Sequence, residues 1–202
     1  MDRKLVKQSK KLSWLLRHAG PSEGLDMDRA GWVPVSQVLT RLHMEPGRLE
    51  QIVRTNNKRR LQLIDGKIRA CQGHSLDCRA VTLDGLEASW KPLPNDGPIW
   101  HGTRVDVVDA ISREGIRPIQ RTHVHCAPAL KSVVGKRAQV AVMLELSVPR
   151  LRESGFEVFE APNGVVLVRH IPPGCIVGLK ALSKAARAVE SELRDLLGLS
   201  NG

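Results

Sequence analysis

Leu61-Gln62-Leu63-Ile64-Asp65-Gly66-Lys67-Ile68-Arg69-Ala70 reads as two short strands, residues 61–64 and 67–70, closed by an Asp-Gly turn. What precedes this hairpin decides the fold around it. Leu5, Leu12, Leu15 and Leu16 recur at helical spacing among lysines, which predicts an amphipathic helix over residues 5–17. Gly20-Pro21 breaks it. After Gly31-Trp32-Val33-Pro34-Val35, Ser36 is the expected N-cap of a second helix through about Leu42, and residues 46–54 form a third. Helices followed by a hairpin predict a winged helix. Many small nucleic-acid modules use that arrangement, but the fold alone does not establish function.

Downstream, the stretch from Trp90 to Pro98 holds three prolines, a glycine and Asn95-Asp96, the composition of an exposed connection. The expected domains are therefore 1–92 and 98–202. Beyond the connection, strand-like runs cover 98–101, 140–146, 157–160 and 165–170, with a helix near 105–114 and a last helix over 183–197. The predicted fold class is α+β: an N-terminal winged-helix lobe followed by a mixed α+β lobe.

The chain has 202 residues, 42% hydrophobic and 26% charged, enough for a folded core and unlike a disordered polymer. Lys and Arg outnumber Asp and Glu by 31 to 21, a net charge of +10 that suits a polyanion or an anionic surface. Aromatic residues make up only 3%, with no Tyr, so stacking many bases on rings is a minor theme. No apolar run is long enough to span a bilayer, and the polar, basic start lacks the apolar core of a signal peptide, so no membrane partner and a cytoplasmic location are expected. The four cysteines, Cys71, Cys78, Cys126 and Cys175, do not form a dense disulfide framework and are expected to be reduced. Oligomeric state leaves no readable mark; a monomer is the working expectation.

Three clusters could carry chemistry. Arg17-His18 ends the first predicted helix, where basic residues also serve as plain caps. Asn57-Lys58-Arg59-Arg60 precedes the hairpin, and Arg69 and His74 lie on or after it. A compact lobe that gathered these groups would suit a phosphate dianion, because arginine forks and lysine point charges bind phosphate oxygens; a solvated basic face is the bland alternative. Trp100-His101-Gly102-Thr103 follows a strand and precedes a helix, and there glycine would let a ligand approach while His101 and Thr103 could hydrogen-bond a sugar. In Arg121-Thr122-His123-Val124-His125, alternation would put Arg121, His123 and His125 on one face of an extended chain. Metal binding is poorly supported: the His pair lacks completing ligands, and Cys71, His74 and Cys78 lack a fourth. Neither a Walker loop, nor a dinucleotide fingerprint, nor a Gly-x-Ser-x-Gly elbow is present.

The chain resembles the tRNA 2′-phosphotransferase family. The matching residues stand in order: Leu12 to His18, Gly31-Trp32-Val33, Asn57 to Arg60, Ile68 to Ser75, His101-Gly102-Thr103, Gly115-Ile116, Arg121 to His125, Val134 to Arg137, Gly155-Phe156, Asn163-Gly164-Val165 and His170 to Pro173. The likeness covers about Leu5 to Ile176. Cys71 stands where the family usually has Asn, and Ala127 where Ser usually follows the His-x-His pair; the segment after Leu179 has no counterpart and is treated as an appended helix.

The resemblance implies a winged-helix RNA lobe and an ADP-ribosyltransferase-like lobe, with the active site in the cleft between them. It also implies NAD as co-substrate, an RNA bearing an internal 2′-phosphate as partner, and no metal. By motif position, Arg17, Lys58 and Arg60 hold the 2′-phosphate, and Arg17, His18, Arg60 and Arg121 form the catalytic set, with His18 and Arg121 assisting transesterification. His101, Gly102 and Thr103 line the NAD pocket, with Gly135 and Arg137 toward the adenosine or pyrophosphate. Two rivals stand beside this reading. One is an ADP-ribosyl transfer to nucleic-acid phosphate that stops after one step, and the other is a non-catalytic RNA-binding module.

Overall fold

The computed structural model describes residues 3–135 and 140–200. The chain divides into two compact units. The first comprises Met1–Lys91, Gln120–Thr122 and Ala161–Asn163; the second comprises Pro92–Ile119, His123–Glu160 and Gly164–Gly202. The sequence placed residues 120–122 and 161–163 in the second lobe; here they belong to the first.

In the first unit, helix α1 (Arg3–Trp14) buries Leu5 and Leu12 and leaves Arg3, Lys4, Lys7, Lys10 and Lys11 exposed. It continues into a π-helical turn, Leu15–Ala19, which buries Leu15 and Leu16 and carries Arg17 and His18. Such wide turns are rare and frequently occur at functional positions. Strand β1 (Val33–Pro34) leads into α2 (Val35–Leu42), followed by α3 (Pro46–Thr55) and the hairpin strands β2 (Leu61–Ile64) and β3 (Lys67–Ala70). β3 is central, pairing antiparallel with β1 and β2, so that Ile68 faces Val33 on one side and Leu63 on the other. Asp65 and Gly66 have φ of +48° and +72°, the mirror-image turn that follows the natural strand twist. Leu12, Leu16, Val38 and Ile68 are fully buried, with Leu49 and Ile52 beside them in the core.

Ser36 is not the N-cap of α2: the helix begins at Val35, Pro34 holds the cap position, and no side chain caps it. The Val35 amide instead donates to the Gly66 carbonyl at 2.8 Å, so the hairpin turn satisfies it. A short helix that the sequence did not announce, α4 (Leu83–Glu87), starts at Thr82, whose hydroxyl accepts from the Gly85 amide at 3.0 Å, and the two-residue strand β4 (Lys91–Pro92) follows it.

Gly31 meets two constraints at once. Its φ is +83°, and a Cβ there would lie 2.7 Å from Nε2 of the fully buried His74. Replacing it with Ala combines left-handed strain with overpacking, and Gly31→Ala should lower stability by about 2 kcal/mol. An unfolding free energy from urea titration within about 0.5 kcal/mol of wild type, the usual scatter for a neutral surface change, would contradict this.

In the second unit, β5 (Ile99–Thr103) and β10 (Ile176–Ala181) flank β7 (Val142–Leu146), both antiparallel to it. β9 (Val166–Val168) pairs with β6 (Val124–Cys126) and β8 (Val158–Glu160). The inward residues Val142, Leu144, Leu146, Val166, Val168 and Ile171 are fully buried. Between these strands lie α5 (Val108–Glu114), entered through a 3-10 turn, and α6 (Val148–Glu153), capped by Ser147. The sequence missed β10 and α6, and its single last helix is two, α7 (Lys184–Ala188) and α8 (Glu190–Leu196). The tail is part of the core: Ala186 and Leu193 are buried, and Arg194 donates to the Leu179 carbonyl at 3.3 Å. The chain is thus mixed α+β, with small antiparallel sheets. No helix among the described residues is long and apolar enough to cross a membrane.

Candidate functional site

Arg17 sits on the π-helical turn with Nε and Nη2 buried and without a hydrogen-bond partner among the described residues. Burial, then the nearby charges of Arg121 and Arg60, lower its pKa to about 10. It therefore remains a cation at neutral pH, held beside two others. A backbone ladder explains why these groups meet. The Ser75 amide donates to the Arg17 carbonyl at 3.1 Å, Ser75 bridges to Arg121, and the Thr122 amide donates to the His74 carbonyl at 3.2 Å. One short stretch, residues 74–75, thus holds both the Arg17 turn and the Arg121 segment.

Lys58 and Arg60 lie on the loop between α3 and β2. The carboxamide oxygen of the buried Asn56 accepts from the amides of Lys58 at 3.3 Å and Arg60 at 3.2 Å. Asn163 Nδ2 donates to the Lys58 carbonyl at 3.1 Å. Cys71 donates its amide to the Arg60 carbonyl at 2.8 Å and its thiol to the Arg59 carbonyl at 3.3 Å. Burial pushes that thiol up to about 11, so it is a neutral structural donor at physiological pH. A donor therefore persists where the resemblance expected Asn. Asn56 was not singled out from sequence, and Asn163 stood only in the family-matching Asn163-Gly164-Val165 without a role; an Asn at a helix end followed by a basic run is the signal that could have found Asn56.

Arg69, grouped in the sequence with the other cations, has a different role. It is 3% exposed and spends its donors on Gln62 Oε1 at 2.9 Å, Ser89 Oγ at 2.6 Å and the Ser89 carbonyl at 3.3 Å, with its guanidinium 4.6 Å from the Trp32 ring centre. Arg69 ties the hairpin to its surroundings, whereas the Nε and Nη2 donors of Arg17 are left over.

His18, the exposed neighbour of Arg17, has its pKa lowered below 6.5, first by partial burial, then by the charges of Arg17 and Arg121, with Asp77 opposing. The imidazole is thus neutral at pH 7, able to accept a proton. Because the folded state resists its protonation, its contribution to stability is intact above pH 6.5 and is lost as pH falls toward the folded pKa. An NMR titration should show a midpoint below 6.5 that rises in Arg121→Ala. A wild-type midpoint at or above the ordinary value would contradict this electrostatic picture.

In the second unit His101, Gly102 and Thr103 lie on β5. His101 Nδ1 meets the His125 carbonyl at 3.0 Å, and because a carbonyl only accepts, Nδ1 is the donor. Gly102 has a packing reason: a Cβ would lie 2.7 Å from Val140 Cγ2. At Gly135, φ is +75° and a Cβ would collide with the Cys126 carbonyl, so glycine is demanded by backbone crowding. Arg137 lies outside the described residues. Arg121, His123 and His125 do not act as one face: Arg121 is exposed and belongs to the first unit, while His123 is buried in the second. Ala127 exchanges backbone hydrogen bonds with Trp100, at 2.7 and 2.9 Å, and has no hydroxyl to offer. Among the described residues no three His, Cys, Asp or Glu side chains gather to hold a metal.

Comparison with known proteins adds the family. The model of the RNA 2'-phosphotransferase, Tpt1 / KptA family matches residues 3–170. A protein described as a probable RNA 2'-phosphotransferase from Rhizobium rhizogenes is 33% identical over 171 residues, covering 81% of this chain and 88% of the relative. Proteins of the same description from Burkholderia lata and Herpetosiphon aurantiacus are 35% and 38% identical, covering 81% and 85% of this chain and 86% and 95% of the relatives.

Proposed function

The chain belongs to the RNA 2'-phosphotransferase family, and on that premise we propose that it removes an internal 2′-phosphate from RNA, such as a tRNA splice junction, by transferring it to NAD. In this reading the first unit serves as a winged-helix RNA lobe and the second as an ADP-ribosyltransferase-like NAD lobe. A phosphate oxygen of the RNA attacks C1″ of the nicotinamide ribose, and the glycosidic bond to nicotinamide breaks. The ribose O2″ then attacks phosphorus, and the bond to the RNA O2′ breaks. The products are nicotinamide, ADP-ribose 1″,2″-cyclic phosphate and an RNA with a free 2′-OH.

Arg17, Lys58 and Arg60 hold the 2′-phosphate, and Arg121 and the neutral His18 assist the second step, where charge develops on phosphate oxygens. His101 and Thr103 offer hydrogen bonds to the NAD ribose; Gly102 supports their strand, and Gly135 and Arg137 lie toward the adenosine or pyrophosphate. The proposal requires no metal.

The observation that carries this reading is the buried Nε and Nη2 edge of Arg17, left without a protein partner among the described residues. Two parallel N–H donors match two oxygens of a phosphate. The test is to incubate the purified chain with a short RNA carrying one internal 2′-phosphate, with and without NAD. NAD-dependent loss of the phosphate with release of cyclic-phosphorylated ADP-ribose is expected. Accumulation of ADP-ribosylated RNA would replace the reading with a one-step transferase, and absence of NAD consumption would replace it with a binding module.

A further inference from the structure

We propose that Asn56 is a positioning residue that templates the Lys58-Arg59-Arg60 backbone to receive the RNA 2′-phosphate, an inference that rests on the function proposed above. Every backbone polar group of these three residues is engaged. The Lys58 and Arg60 amides donate to Asn56 Oδ1, and the Arg59 amide donates to the Asn56 carbonyl at 2.9 Å. The three carbonyls accept from Asn163 Nδ2, the Cys71 thiol and the Cys71 amide. Exposed loops seldom satisfy so many groups internally, since water ordinarily serves them.

The loop also contains strain. Arg59 has φ of +45°, a left-handed conformation that costs a non-glycine residue about 1 kcal/mol and persists only where its surroundings over-determine it. Asn56 grips the amides on both sides of Arg59, so one carboxamide holds the reversal that separates the two proposed phosphate ligands. Arg60 is close enough to Arg17 to lower its pKa, so the loop geometry sets the spacing of the cationic cluster. Misplacing such groups by about 1 Å can cost a hundredfold in rate.

The test is the preference of the full chain for an RNA oligonucleotide carrying an internal 2′-phosphate over the same oligonucleotide with a 2′-OH, measured by fluorescence anisotropy without NAD. Asn56→Ala should reduce this preference by about tenfold, the equivalent of one lost charge-assisted hydrogen bond. Asn56→Asp keeps an acceptor for both amides and should restore most of it, whereas Asn56→Leu, which fills the space without an acceptor, should not, a contrast that a general packing role would not predict. Should Asn56→Ala fail to fold, Asn163→Ala removes the anchor at the Lys58 carbonyl and should give a smaller loss in the same ratio. In turnover, kcat/KM for the RNA should fall while KM for NAD stays unchanged. A wild-type preference that survives in folded Asn56→Ala, or in Asn163→Ala where Asn56→Ala does not fold, overturns the positioning role and leaves the proposed function standing. A wild-type chain with no preference overturns the phosphate assignment and the positioning role with it.

Discussion

Replacing Arg17 by Met should reduce NAD-dependent removal of the 2′-phosphate by about 10²-fold to 10³-fold or more, while the melting temperature rises by a few degrees. The two effects have one cause. Two buried guanidinium donors lack partners among the described residues, and Arg60 and Arg121 repel the same charge. An unsatisfied buried donor costs the folded state about 1–3 kcal/mol, and a methionine stem fills similar space without that cost. Under the proposed function the same donors meet developing phosphate charge, where losing one such donor costs about two to three orders of magnitude. Arg17→Lys keeps the charge but loses the fork, and should still lose more than about tenfold. Assays of turnover and thermal unfolding on the same preparations decide the matter. Full activity in Arg17→Met would remove this residue from the site, and a large fall in melting temperature would show it to be a structural cation.

Arg69→Leu should do the opposite, lowering stability by about 3 kcal/mol or more before any effect on the site is felt. Its guanidinium donates to Gln62 and twice to Ser89, and it lies over Trp32. Charge-assisted hydrogen bonds contribute about 1.5–3 kcal/mol each, and removing this donor leaves several partly buried acceptors unpaired. Denaturant unfolding should show a lower midpoint with an unchanged slope. A variant as stable as wild type would mean that solvent replaces these bonds without loss, and that Arg69 is no strut for the hairpin.

These two arginines show what the sequence could and could not reveal. The hairpin over 61–70, the helix over 46–55 and the amphipathic start were legible because their signals are local: an Asp-Gly turn, a proline at a helix start and leucines at helical spacing. The gathering of Arg17 with Arg60 was an expectation from the basic clusters around the hairpin, and Arg121 joined them only through the family likeness. Nothing in 121–125 announces that the chain divides at Thr122, because that depends on a backbone bond to His74, 48 positions away in sequence. The different fates of Arg17 and Arg69 were hidden for the same reason. Whether a guanidinium is satisfied depends on Ser89 and Gln62, whose identities carry no message until folding places them. Two glycines carry a packing reason that the sequence did not announce: a Cβ at 102 would meet Val140, and one at 135 the Cys126 carbonyl.

The three-part make-up of the first unit limits how it can be separated. A gene fragment ending at the proline-rich connection would encode the π-helical turn, the hairpin and the Asn56 loop, but not Arg121 or Asn163. Such a fragment would be a graft lacking one cation and one anchor, and transplanting it would carry over the cationic cluster incomplete. Change by swapping halves at the linker is therefore handicapped in this family member. The Asn56 loop and the residues that finish it are inherited together.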